Sequence, residues 1–396
     1  MWDFTSPQKV IFGEEALEYL SFQKFKHVFI VTDPKMRHLH LSKVLDPLKE
    51  SKITIFDEIP GEPTLDIVRK GAKLLIDLQP SPDAMIALGG GSVMDTAKGM
   101  RAMWANPEMD IESLDPFEKL GIRERTNSIM ISIPTTSGTG SDVTWSVVLT
   151  DTSEAIPRKH SAAHRELVPD ITILDPIFTK SMPIQLMTGT GLDALCHSID
   201  AYLSTYRNDF TDAVARHAFM LLWNNLPAAV EQAKTVGTVN VELREKIHNA
   251  ATMAGMAQSN AQIILSHCLA HSVGAVFEIP HSLCIGTMCW YSLMYNKNTE
   301  LQRIAELARL VGLDDSSAEV ISTKLIEIFK ERLISFNMPI SLRDMNISRE
   351  QYESNLESLI KYAENDSGIL SNPRDTDYDD FVRIFECIYE GKEIDF

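Results

Sequence analysis

The stretch DAMIALGGGSVMDTAKGMRAMW, residues 83–104, reads as a strand, a turn and a helix. Residues 83–88 form a short apolar run of strand length, and three glycines end it. Ser92 can cap the helix, and from about Val93 to Trp104 the apolar side chains take helical spacing. A buried strand feeding a helix through glycines is the repeating unit of a parallel α/β sheet. Its neighbours repeat the alternation. HVFIVTD (27–33) and KITIFDEI (52–59) read as buried strands, and LDIVRKGAKLLIDL (65–78) as a helix. NSIMISIPTTSGTGSD (127–142) reads as a strand opening into a loop of small residues.

After about residue 180 strand-like runs become rare. Helical patterns take over at 191–205, 211–230, 241–259, 298–311 and 317–335. The expected fold is therefore a Rossmann-like α/β domain with a parallel sheet over 1–180, joined to an all-α domain over 181–396, with TKSMP (179–183) at the boundary.

The 396 residues are 44% apolar, enough for a sizeable core. With 37 basic against 55 acidic side chains, the net charge of -18 gives no general attraction to nucleic acid or anionic membranes. Five cysteines without a CxxC pattern argue against a disulfide framework or a cysteine zinc site, and favour a reducing, cytoplasmic setting. The N-terminus does not read as a signal peptide, and the apolar run 261–277 is too short and too rich in histidine to span a membrane.

Three loops come directly after strands. Gly90, Gly91 and Ser92 can bring backbone and a helix N-terminus close to a phosphate. Asp33 ends the first strand, where a carboxylate can hold the adenosine ribose and repel a 2′-phosphate; it also begins an Asp-Pro turn. Thr135, Thr136, Ser137 and Thr139 offer short hydroxyls among glycines. Together they point to a dinucleotide at the carboxyl edge of the sheet.

The helical half holds a second pattern. Asp193 and His197 stand four apart, as do His267 and His271, so each pair shares a helix face within about 5–6 Å. His281 comes soon after. Histidines among apolar neighbours need partners, and a divalent ion such as Fe²⁺, Zn²⁺, Co²⁺ or Mn²⁺ would supply them. The other HxxxH pair, His160 and His164, lies in a polar stretch and reads as solvated or as loop. Cys196 and Cys268 point away from their histidine neighbours and read as packing.

In order along the chain, PQKVIFGEEA, GGGSVMDTAKG, IPTTSGTGSDVT, GTGLDALCHSIDAY, SHCLAHSVGAVFEIPH and NPRDTDYDD resemble the motifs of the iron-containing (group III) alcohol dehydrogenases. The resemblance implies the dehydroquinate synthase-like architecture and metal ligands Asp193, His197, His267 and His281. It implies that His271 relays a proton or contacts substrate. It implies cofactor contacts at Asp33, Gly90, Gly91, Ser92, Asp95, Thr135, Thr136, Thr139 and Lys159. Two departures stand out: Ser282 where the family often has glycine, and Glu62 where many members have asparagine.

The implied reaction is reversible hydride transfer between a primary alcohol and NAD, with Fe²⁺ or another divalent ion, in a homodimer or larger homo-oligomer. NAD rather than NADP is expected from Asp33. Trp145, Ser146 and Val148 are candidate substrate contacts. A dehydroquinate synthase-like cyclase or a glycerol dehydrogenase-like enzyme is the alternative, and a non-catalytic metal-binding protein a third reading.

Overall fold

A computed structural model describes residues 3–115, 118–152 and 158–396. The chain forms two compact units: residues 1–182 with 240–259, and residues 183–239 with 260–396.

In chain order the first unit contains β1 (Lys9–Phe12), β2 (His27–Thr32), α1 (Pro34–Leu45), β3 (Lys52–Phe56), α2 (Leu65–Asp77), β4 (Ala84–Gly89), α3 (Gly91–Ala105), α4 (Ile122–Thr126), β5 (Ile129–Pro134), β6 (Ser146–Asp151), β7 (Arg158–Ala163) and β8 (Ile171–Leu174). Six strands form one parallel sheet in the order β1-β8-β5-β4-β2-β3, while β6 and β7 make an antiparallel pair. β2 and β4 are buried along their whole length because both faces of the sheet are covered. Phe29, Val31, Met85 and Ala87 pack with Val68 and Leu75 of α2 and Ala97 and Met100 of α3. Val28, Ile30, Ile86 and Leu88 face the other way, toward Leu41 and Val44 of α1. The parallel sheet is the one expected from the 83–104 stretch, although β3 stops at Phe56.

The rest of the chain is helical: α5 (Ile184–Leu203), α6 (Asp209–Val236), α7 (Val241–Ala261), α8 (Leu265–Phe277), α9 (His281–Asn296), α10 (Leu301–Leu310), α11 (Ala318–Ser335), α12 (Arg349–Glu364) and α13 (Tyr378–Glu390). Among the described residues, no helix is long and apolar enough to cross a membrane.

The sequence division at 180 differs from the structure at α7. Residues 240–259 fold with the first unit, because one face of α7 supports the threonine loop. His248 Nδ1 lies 2.9 Å from Ser137 Oγ, and Thr252 Oγ1 donates to Asp142 Oδ2 at 2.9 Å. Gly255 passes against Gly140, and Ser259 Oγ accepts from the Trp145 N–H at 3.2 Å. Positions 248, 252, 255 and 259 keep the i, i+4, i+7, i+11 spacing of one helix stripe.

Alanine in a helix interior normally stabilises by about 0.5–1 kcal/mol over glycine. At Gly255 an added Cβ would meet the Gly140 Cα at 2.6 Å. Gly255→Ala is therefore expected to destabilise the first unit by about 1–3 kcal/mol, read as a lower urea midpoint with an unchanged slope. A midpoint at or above wild type would overturn this packing.

Candidate functional site

In the first unit, strand register decides which loop residues meet. Thr32 pairs with Leu88 and Gly89 with Pro134, so Asp33, Gly90 and Thr135 lie just beyond the paired strand ends. The strand order reverses here, with β3 on one side of β2 and β4 and β5 on the other. Open α/β sheets take ligands at such a switch point. A Cβ on Gly90 would lie 3.4 Å from Thr136, and one on Gly91 3.1 Å from Thr139. The glycine turn and threonine loop thus form one surface holding Gly90, Gly91, Ser92, Thr135, Thr136 and Thr139. Gly90 is the N-cap of α3 and brings no side chain to the first-turn N–H groups, an arrangement suited to an anion.

Asp33 opens the Asp-Pro turn at the start of α1. Its Oδ1 caps α1, accepting from the N–H of Lys35 at 2.8 Å and of Met36 at 2.9 Å. Asp95 is committed to the protein: it accepts from Ser141 Oγ and, at 3.0 Å, from Val148 N. Lys98, buried beside it, donates to Ser141 Oγ at 3.1 Å, Thr144 Oγ1 at 3.1 Å and the Ser146 carbonyl at 3.0 Å. Burial lowers the Lys98 ammonium to about 8, against the pull of Asp95 and Asp142. Trp145 is held by its indole N–H on the Ser259 carbonyl, with the Arg165 guanidinium 5.3 Å from its ring centre. Val148 of β6 is exposed. Lys159 lies in β7, and its side chain is outside the described residues.

The expectation of solvated or loop positions does not hold for His160, and His164 is not solvated. His160 lies in β7, while His164 is buried, accepting from Glu166 N at 3.1 Å with Nε2 2.7 Å from the Glu118 carbonyl.

In the second unit α5 carries Asp193 and His197, α8 carries His267 and His271, and α9 starts at His281. α9 can start there because Gly189 on α5 has no side chain; a Cβ would lie 2.7 Å from Ser282. Three imidazole Nε2 atoms surround Asp193 Oδ1: His281 at 3.3 Å, His267 at 3.6 Å and His197 at 3.7 Å. Asp193, His197 and His267 are buried and offer ligand atoms within 4.8 Å of one another. His281 is more open, with its side chain 37% exposed. The His197 and His267 rings stack at 4.6 Å.

One buried atom tests whether a cation fits. Among the described residues His267 Nε2 has no hydrogen-bond partner, yet it faces the cluster while its Nδ1 is held by Asp200 Oδ2 at 2.7 Å. A ring nitrogen fixed by a carboxylate on one side and open on the other is the usual state of a metal-ligating imidazole. The donor set of one carboxylate and three imidazoles suits a divalent transition ion. Without an ion the electrostatics are costly. Burial works to raise the Asp193 carboxyl, but the imidazoles hold it well below the usual carboxylate range. Burial lowers His197 to about 4. It would also lower His267, but Asp193 and Asp200 outweigh it and raise that imidazole to about 9.

His271 stands at the rim. Its side chain is 43% exposed, its ring lies 5.2 Å from that of His281, and its Nδ1 is 2.7 Å from Asp366 Oδ2. Sequence reasoning missed both second carboxylates. Asp200 lies two helical turns after Asp193 on α5, a spacing that could have flagged it. Asp366 is 95 positions from His271 and has no local signal.

Two measurements check this geometry. A metal-free His267 protonated up to about 9 must lose its proton for Nε2 to ligate. Its proton competes more strongly as pH falls, so Zn²⁺ affinity should weaken by up to about tenfold per pH unit below that value. Calorimetry in buffers of different ionisation enthalpy should show about one proton released near neutral pH; no release would refute the protonated imidazole. Asp200→Asn should weaken metal affinity by about 10–100-fold, and an unchanged affinity would remove Asp200 from the site.

Comparison with known proteins finds relatives along nearly the whole chain. Residues 7–176 match the iron-containing alcohol dehydrogenase family, and residues 187–389 match the C-terminal part of the Fe-containing alcohol dehydrogenase family. The chain is 33% identical to the NADPH-dependent butanol dehydrogenase of Clostridium saccharobutylicum, over 100% of both chains. It is 32% identical to aldehyde-alcohol dehydrogenase 2 of Entamoeba histolytica over 98% of this chain, but spans only 46% of that protein. A crystal structure of a 1,3-propanediol oxidoreductase superposes with a TM-score of 0.86 at 28% identity, covering 98% of this chain and 100% of that one. The comparisons support alcohol and aldehyde oxidoreduction on the expected architecture, not the cyclase or glycerol-type alternative. The chain belongs to the iron-containing alcohol dehydrogenase family.

Proposed function

We propose that the chain interconverts a primary alcohol and its aldehyde with NAD and a divalent metal, Fe²⁺ foremost. The observation that carries this is the ring of three imidazole Nε2 atoms around Asp193 Oδ1, with that of His267 unpartnered. Asp193, His197, His267 and His281 are the ligands. A bound ion would supply Lewis acidity at the substrate oxygen, and a bound nicotinamide would supply the hydride donor or acceptor.

The chain's own residues do the remainder. Asp200 orients His267 through Nδ1. His271 gives its Nδ1 hydrogen to Asp366, which leaves Nε2 as an acceptor at an exposed rim. That nitrogen takes the hydroxyl proton in oxidation and returns it in reduction. Gly90, Gly91, Ser92, Thr135, Thr136 and Thr139 bind the dinucleotide, and Asp33 binds its adenosine ribose. Asp95 acts one step back, by holding Ser141 and Val148 in place. Lys159 belongs to this cofactor set by the resemblance alone. Among relatives, the butanol and 1,3-propanediol enzymes point to short primary alcohols and their aldehydes as substrates.

The test is anaerobic. Metal-stripped protein is given Fe²⁺, Zn²⁺, Co²⁺ or Mn²⁺, and NADH consumption is measured with short aldehydes. Metal-dependent consumption is expected. His267→Ala should lose the metal, whereas His271→Ala should keep it and lose about 10²-fold or more in turnover. NADH binding without consumption under every metal and aldehyde would overturn the reading.

A further inference from the structure

Beside Asp33, the first unit holds a second acid and an arginine to which the cofactor reading assigns nothing. β2 and β3 are neighbouring parallel strands with Val31 opposite Phe56, so Asp33 and Asp57 both lie just past the same sheet edge. Arg37 sits one turn into α1, its N–H donating to the Asp33 carbonyl at 2.8 Å. Its guanidinium does not turn to Asp33; it pairs with Asp57. Arg37 is 51% and Asp57 27% exposed at the side chain. A pair this open to water is weak and readily exchanged. A phosphate ester, with up to two negative charges and several acceptor oxygens, is a stronger partner for a guanidinium fork than one carboxylate.

We infer that Arg37 is a latent ligand for a 2′-phosphate, held back by Asp57, so that Asp33 and Asp57 together set this chain's preference for NAD over NADP. The inference rests on the reading that the adenosine ribose lies at the end of β2. Asp33 acts directly, by repelling the phosphate beside its carboxylate. Asp57 acts at one remove, by occupying the side chain that would otherwise neutralise that phosphate. An acid at position 33 thus describes half of the device. The other half explains how a chain with this loop could change cofactor without acquiring a new basic residue.

The measurement is equilibrium binding to the full-length protein. Nicotinamide fluorescence gives the dissociation constants of NADH and NADPH, and calorimetry gives those of adenosine 2′,5′-bisphosphate and 5′-AMP. The variants are Asp33→Gly, Asp57→Asn, Asp33→Gly with Asp57→Asn, and that double variant with Arg37→Ala added. Glycine is tolerated as an N-cap, so the first change keeps α1. Asp57→Asn should shift the NADPH-to-NADH affinity ratio toward NADPH by several-fold. Combined with Asp33→Gly it should exceed Asp33→Gly alone by about tenfold, as expected for a freed charge-assisted phosphate contact. Adding Arg37→Ala to the Asp33→Gly, Asp57→Asn variant should undo that gain of about tenfold, and the bisphosphate-to-monophosphate ratio should move in parallel. If Asp33→Gly shifts the ratio but the Arg37 and Asp57 variants do not, the inference fails and the cofactor reading stands. If wild type binds neither dinucleotide, both fail.

Discussion

Oδ1 of Asp193 is a carboxylate oxygen taken out of water and faced by three imidazole nitrogens. A buried charge must be compensated or its group neutralises. Here protons can compensate only in part, because burial drives His197 neutral while Asp200 helps keep His267 charged. The proposed ion would bring the charge that the side chains do not themselves carry. Much of the helical unit's local construction answers to this. Two helices present pairs at four-residue spacing, and Gly189 lets the start of a third come near enough for His281 to join them. The same glycine explains why Ser282 is accommodated: the room its side chain occupies is room Gly189 leaves.

The first unit solves a different problem. A loop of threonines, serines and glycines has little packing of its own, and the surface proposed to take the dinucleotide would have to be preorganised to bind well. Asp95 and Lys98 fix it from below, through Ser141, Thr144 and the start of β6. α7 fixes it along one stripe, through His248, Thr252, Gly255 and Ser259. The side chains left for a ligand are the short hydroxyls, while the charged ones are spent on holding the loop's shape.

Local patterns were legible in the sequence and remote partners were not. The strand-turn-helix of 83–104 is present in the fold, because burial on both sheet faces imposes an apolar run and the turn imposes glycine. Asp193 and His197 could be paired from spacing alone, since helix geometry brings such residues together. Adding His281 took the family resemblance, because its place depends on the approach of two helices. Asp366 was invisible for the same reason: nothing near it in sequence says that it meets His271. His164 misled because polar neighbours suggested exposure, whereas the fold buries its ring against the Glu118 carbonyl. α7 reads as a helix, but a helical pattern does not name the unit it packs with.

The first unit is not continuous along the chain, and this bears on how the protein is made. A ribosome delivers the sheet by residue 182, then 57 residues of the other unit, and only afterwards the 240–259 segment that supports the threonine loop. Domains generally fold as units during synthesis, the N-terminal one first. This N-terminal unit must wait, its loop unsupported, while the first helices of its successor emerge. A nascent chain stalled before residue 240 has every strand of the sheet and lacks the brace beneath its threonine loop.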